Sequence, residues 1–174
     1  MDCSKQNPLP RRQRRLESVF DVAPSYFLTI CSAGRKPVFA THTVDERIRV
    51  FSAGSMERYQ VWVDSYVLMP DHMHLIVTVS GDAVLGGWVK ALKAFVGNRE
   101  LGWQEGFFDH VLRSDESRAE KWEYIRMNPV RAGLVDHADN WSYANWFDPR
   151  TGVVGRVTSP GGDKERVTSL GEKK

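Results

Sequence analysis

The stretch Met69-Pro70-Asp71-His72-Met73-His74-Leu75-Ile76-Val77 decides how this chain is read. Pro70-Asp71 is a turn signal, and the apolar run that follows carries β-type residues. Alternate side chains of a strand share a face, so His72 and His74 project together while Met73, Leu75 and Val77 project the other way. The 60–68 segment before the turn is equally β-rich, which predicts an antiparallel hairpin of 60–68 with 72–80, ended by Ser80-Gly81-Asp82. Two imidazoles on one face of a stiff strand are half of a divalent-metal site. The same spacing also suits paired polar residues on an open surface, and the spacing alone leaves both readings open.

The flanking segments extend the pattern. Tyr26-Phe27-Leu28-Thr29-Ile30-Cys31 reads as a first strand, bounded by Pro24 and by the Gly34 to Pro37 turn. Residues 43–58 carry Val44, Ile48 and Phe51 at near-helical spacing, with Thr43 or Thr41 as the N-cap. Residues 84–100 read as a helix whose stripe is Trp88, Leu92, Phe95 and Val96, with Lys90 and Lys93 on its polar side. A turn and fourth strand are predicted over 103–112. A last helix over about 115–127, capped by Ser114 or Asp115, should close at Asn128-Pro129, because a residue before proline avoids the α region. Residues 141–147 form an aromatic cluster expected to pack on the domain. The order is β-α-β-β-α-β with an added C-terminal helix, an α+β, ferredoxin-like arrangement with an antiparallel sheet and both crossover helices on one face.

At 174 residues the chain fits one domain with tails. Residues 1–23 read as a basic arm carrying Arg11, Arg12, Arg14 and Arg15. The domain spans 24–147. Residues 148–174, rich in Gly, Ser, Thr, Lys and Arg, read as a polar, disordered tail. No apolar run approaches the ~20 residues of a membrane span, and the polar N-terminus does not resemble a signal peptide. Cys3 and Cys31 are too few for a disulfide framework, which fits a reducing cytoplasm. A formal net charge of +2 does not by itself argue for nucleic-acid binding. The arm is where positive charge concentrates, either as a solvated tail or as a phosphate-binding one.

The last helix supplies the other half of a site. Tyr124 and Asn128 stand four residues apart on one face, and Glu120 continues the line a turn earlier. Asn128 could give a metal an oxygen ligand, with Tyr124 a nucleophile beside it. Equally, Tyr124 could be a core tyrosine and Asn128 a polar helix end. Arg113, Arg126 and Arg131 flank these positions and, with Lys90 and Lys93, are candidates for phosphate contacts. His110 beside Asp109 is a weaker metal or acid–base candidate, and His42 and His137 have no assignment.

Three blocks in order carry a family resemblance: 68–77, ending in the His72-Met73-His74 strand; 103–113, Trp-Gln-Glu-Gly-Phe-Phe-Asp-His-Val-Leu-Arg; and 124–135, Tyr-Ile-Arg-Met-Asn-Pro-Val-Arg-Ala-Gly-Leu-Val. Over about residues 25–146 the chain closely resembles the REP-associated tyrosine transposases, single-tyrosine members of the HUH endonucleases. The Tyr124 block is far more specific than H-x-H. One departure is Asp71, where that family often has Asn.

The resemblance implies a nuclease and strand transferase for single-stranded DNA, acting at palindromic repeat hairpins. His72 and His74 would then be metal ligands, Asn128 a third ligand, and Tyr124 the nucleophile that becomes joined to a DNA 5′-phosphate. A monomer is expected on the same ground. The chemistry suits these residue types. A phenol is a poor nucleophile at neutral pH and a phosphodiester a slow electrophile, so a cation with open coordination positions is useful. Two imidazoles and an amide oxygen suit Mg²⁺ or Mn²⁺ in use. The phosphotyrosine retains the energy of the cleaved bond and allows rejoining by a 3′-OH. Two other functions fit parts of the sequence: a domesticated protein that binds repeat hairpins without cutting, and an unrelated metal-dependent hydrolase.

Overall fold

The structure is a computed structural model that describes residues 23–97, 101–113, 115–147 and 154–156. The strands are β1 (Ser25–Cys31), β2 (Val61–Leu68), β3 (His72–Val79), β4 (Phe108–Leu112), β5 (Ala144–Phe147) and β6 (Val154–Arg156). The α-helices are α1 (His42–Ala53), α2 (Ser55–Tyr59), α3 (Leu85–Val96), α4 (Asp115–Arg126) and α5 (Asn128–Arg131). One sheet runs β4-β1-β3-β2-β5-β6, and every pairing in it is antiparallel. Its first four strands are the predicted ferredoxin-like sheet. Among the described residues no helix is long and apolar enough to cross a membrane.

Period-2 alternation gives the sheet two different faces. Tyr26, Leu28 and Ile30 of β1 meet Met73, Leu75, Val77 and Val79 of β3 on one face, under Val44, Ile48 and Phe51 of α1 and Leu85, Trp88, Val89, Leu92 and Val96 of α3. Fully burying one such side chain contributes about 1.5–3 kcal/mol, so this layer is the main source of stability. Strand β2 joins it only because of a bulge. Its register shifts between Val63 and Ser65, so Val61, Val63, Tyr66 and Leu68 all reach the same core. A single extra residue is what a period-2 strand needs to keep both halves facing inward.

Helix α4 covers the opposite face. Ile125 is fully buried there with Val67, Met69, Ile76, Leu112 and Ala144, and Trp122, Phe27 and Trp141 pack against them. Arg118 ties the helix to the bulged stretch of β2 through Asp64, Nη1 to Oδ1 at 3.3 Å.

Several expectations change in detail. The helix expected over 43–58 is two helices, α1 and α2, divided at Gly54, the residue that is at once the C-cap of one and the N-cap of the other. Thr41 caps α1, its hydroxyl accepting from the Val44 N–H. Ser114 lies outside the described residues. Asn128-Pro129 ends α4 but does not end helical structure: α5 follows at once, with the proline in its first turn, where a missing N–H costs nothing. The aromatic cluster at 141–147 contains a strand, β5, added to the β2 edge. Three residues of the stretch expected as a polar tail, Val154–Arg156, pair with β5. The arm, including Arg11, Arg12, Arg14 and Arg15, lies outside the described residues.

Candidate active site

The histidine face is built from β3 outward. His72 pairs in register with Cys31, and His74 with Thr29 on one side and Val67 on the other. The two rings stand 4.8 Å apart, edge to face. Each has its Nδ1 engaged. The Asp71 carboxylate accepts from His72 Nδ1 at 2.7 Å, and the Thr29 hydroxyl lies 3.0 Å from His74 Nδ1. Nε2 is the nitrogen left for a ligand on each ring, and the partner on Nδ1 sets the tautomer and orientation. His74 is 9% exposed and stacks on Phe27 at 5.2 Å. Burial, followed by the charges of His72, Lys121 and Arg35, pushes its imidazole down to about 3, against one raising hydrogen bond that the ring makes to the Leu28 backbone. His74 is therefore neutral at physiological pH, as a metal ligand must be.

Asp71 is held in turn by Arg35, Nε to Oδ2 at 2.7 Å. Partial burial pushes the Asp71 carboxyl up, but the hydrogen bond and charge of His72, with Arg35, outweigh it and hold the group below its ordinary value. The departure at Asp71 thus supplies a carboxylate that orients His72. Arg35 itself adopts a left-handed conformation, φ 56°, unusual for a residue with a Cβ, and its Nη1 also donates to Cys31 Sγ.

Tyr124 comes to this face on α4. Ile125 points into the sheet, which leaves Tyr124 52% exposed. Its ring is flanked by two cations. Lys121 Nζ lies 5.1 Å from the ring centroid and 4.8 Å from that of Phe27, and Arg131 Cζ lies 4.6 Å from the Tyr124 ring. Lys121 therefore links the tyrosine to the Phe27–His74 stack. Asn128 stands at the start of α5, and its Oδ1 accepts from Arg131 Nη1 at 3.1 Å; the same nitrogen donates to the Tyr124 carbonyl at 2.8 Å. Among the described residues no hydrogen bond joins Asn128 to either histidine. Nor, among the described residues, do three or more His, Cys, Asp or Glu side chains gather in a group that could hold a metal ion. The donors that fit a divalent cation are thus two imidazoles, whose Nε2 atoms have no side-chain partner among the described residues, and the Asn128 oxygen, which keeps a second lone pair.

The other predicted residues divide. Arg126 is committed to structure, bonding Glu123 and Asp139 at 3.1 and 2.8 Å. Lys90 and Lys93 lie on α3, across the sheet from the histidines. Lys93 Nζ donates to the Gln104 and Gly106 carbonyls, and burial lowers its pKa. Arg113 is exposed just beyond β4. His110 pairs with Phe27, so it shares the histidine face, but on the edge strand beyond β1. Glu120, His42 and His137 are exposed. Sequence reasoning passed over Thr29, Phe27, Arg35 and Lys121. Lys121 had a signal, since i−3 from Tyr124 is a neighbour on a helix. The others act through sheet register and a loop, which spacing does not reveal.

Residues 22–101 match the family model described as transposase IS200-like, a span that includes both histidines. A candidate REP-associated tyrosine transposase of Haemophilus influenzae is 27% identical over 139 residues, 70% of this chain and 78% of that protein. The REP-associated tyrosine transposase of Escherichia coli K12 is 28% identical over 89 residues, 48% of this chain and 53% of that one. A solved structure described as a REP-associated tyrosine transposase bound to a REP hairpin shares the fold, with a TM-score of 0.61 at 22% identity over 76% of this chain and 81% of its own. The resemblance read from the motifs is therefore met in sequence and in fold: residues 22–101 match the IS200-like transposase model, and the chain is similar to the REP-associated tyrosine transposases.

Proposed function

We propose that this chain is a metal-dependent DNA strand transferase that cuts single-stranded DNA at or near palindromic repeat hairpins through a covalent link to Tyr124. The observation that carries the reading is the meeting, on one sheet face, of two Nδ1-anchored histidines and a helix presenting a half-exposed tyrosine. The names of the relatives support the activity, and the hairpin in the solved relative supports the substrate.

In this reading the Tyr124 hydroxyl attacks phosphorus. The Tyr124 O–P bond forms as the P–O3′ bond breaks, the phenol proton passes to solvent water, and water returns one to the departing oxygen, which leaves as a 3′-OH. The reverse attack by a 3′-OH rejoins DNA without an external energy source, which suits transfer better than hydrolysis. His72 and His74, with Asn128 joining through its second lone pair, would hold Mg²⁺ or Mn²⁺, whose chemistry is neutralisation of charge on a non-bridging phosphate oxygen. Asp71 and Thr29 fix the two rings so that no reorientation is needed when the ligand arrives. Phe108, exposed on β4, would stack on an unpaired base, and the cations around Tyr124 would meet phosphates. A single chain acting in the cytoplasm would suffice.

The test is to incubate the protein with labelled hairpin DNA carrying single-stranded flanks, with Mn²⁺, and to look for an adduct that survives denaturation. The expected result is an adduct whose nucleotide maps to the peptide containing Tyr124, absent from Tyr124→Phe. Cleavage without an adduct would point to a water nucleophile and a different enzyme; binding without cleavage would point to a hairpin-binding protein.

A further inference from the structure

The function proposed above gives Lys121 no more than a general contact with DNA, yet it occupies a singular position. Its ammonium lies 4.8 Å from the Phe27 ring centroid and 5.1 Å from that of Tyr124, and Phe27 stacks directly on His74. One amine thus touches both the nucleophile's ring and the aromatic support of a ligand ring. The group is half-buried, and among the described residues no carboxylate pairs with it. Among the described residues its contacts are ring faces and no carboxylate, so a phosphate arriving there would meet a cation that no anion already holds. Arg131, the other cation on Tyr124, differs: its Nη1 is already engaged by the Tyr124 carbonyl and Asn128.

We propose that Lys121 is a further catalytic residue, binding a non-bridging oxygen of the scissile phosphate beside Tyr124 and neutralising its charge as the phosphotyrosine forms and reverses. The inference rests on the function proposed above. Lysine suits this role because its compact charge and rotating donors can follow a phosphoryl group as it passes from the DNA oxygen to the tyrosine oxygen, where a planar guanidinium would favour one geometry. Lys121 exchanges no atoms with the substrate and keeps its protons throughout.

Two measurements test it. In single-turnover cleavage, Lys121→Gln should slow adduct formation by about 10²-fold, the scale for losing one preorganised charge donor, while Lys121→Arg retains more activity. Equal rates for wild type and Lys121→Gln would overturn the proposal.

The second measurement separates charge from packing. Binding is compared in the Tyr124→Phe background, with a chelator present, for DNA whose scissile linkage is a phosphodiester or a neutral methylphosphonate; the linkage is the one mapped by wild-type cleavage. With Lys121 present, the neutral linkage should weaken binding about tenfold, the order of one charge-assisted contact, and with Lys121→Gln it should change little. If both proteins weaken by the same factor, Lys121 only braces α4, and the proposal falls. A wild-type protein that forms no adduct overturns the function itself, and Lys121's role with it.

Discussion

At the scale of single residues, the site depends on side chains that hold other side chains. His72 and His74 share a face by strand parity, but what each ring can do is set by Asp71 and Thr29. Asp71→Ala is expected to lower Mn²⁺ affinity by about 10- to 100-fold, the usual scale for removing a partner of a metal-bound histidine, while Asp71→Asn, which keeps an acceptor oxygen, weakens it much less. Titration of the metal by calorimetry decides this, and equal affinities for Asp71→Ala and wild type would remove Asp71 from the site. His72→Ala and His74→Ala should each abolish cleavage and lower Mn²⁺ affinity while sparing much of the hairpin binding, since in the proposed function the metal would serve chemistry more than docking. A variant that cuts at the wild-type rate across a metal titration would refute the ligand assignment.

At the scale of elements, α4 is the part of the site most open to disturbance. It reaches the sheet through a small cluster centred on Ile125, whereas α1 and α3 sit on the large core. Ile125→Ala should cost about 2–4 kcal/mol, as a fully buried aliphatic truncation does. The loss should be local first: amide exchange in α4 should rise well before β1 and β3 respond. Cleavage should fall with it, because Tyr124 rides on the same helix. Uniform exchange across the protein would show instead that α4 and the sheet open as one unit. The strand β5 has the opposite character. Its Asn145 donates to Asp45 and to the Tyr66 hydroxyl at 2.9 Å each, and Tyr66 donates to Asp45 at 2.7 Å, all buried. Burial, then the charge and hydrogen bond of Asp45, push the Tyr66 phenol far up, so it stays a donor.

For the molecule as a whole, that buried network joins α1, β2 and β5 across a hundred residues of chain. Asn145→Ala leaves buried oxygens short of a donor and should destabilise the fold by about 1–3 kcal/mol, seen as a lower denaturant midpoint at unchanged slope. An unchanged midpoint would mean that water or a neighbour satisfies the network. The charge distribution is also a property of the whole chain. A net +2 is small, and the basic arm concentrates four arginines in five positions. Neutralising Arg11, Arg12, Arg14 and Arg15 should flatten the salt dependence of DNA binding, by roughly 0.7 in log–log slope for each phosphate that the arm no longer neutralises. A slope that does not move would assign the arm no role in holding DNA.

The sequence by itself determined the parts governed by short-range periodicity. Strand parity put His72 and His74 together, helical spacing put Tyr124 and Asn128 one turn apart, and the order of elements defined the four-stranded core of the sheet. Local rules also misled where local signals were weak. Gly54 broke a helix that the apolar spacing carried through, and Pro129 opened α5 where it was expected to end helical structure. The short β5 lacked alternation long enough to read as a strand. Only the tertiary structure decided that α4 crosses the histidine face, that β5 completes a buried network with Asp45 and Tyr66, and that Lys121 stands between Tyr124 and Phe27. These depend on which surfaces meet, and that is set by packing between segments far apart in the chain, which no local pattern encodes.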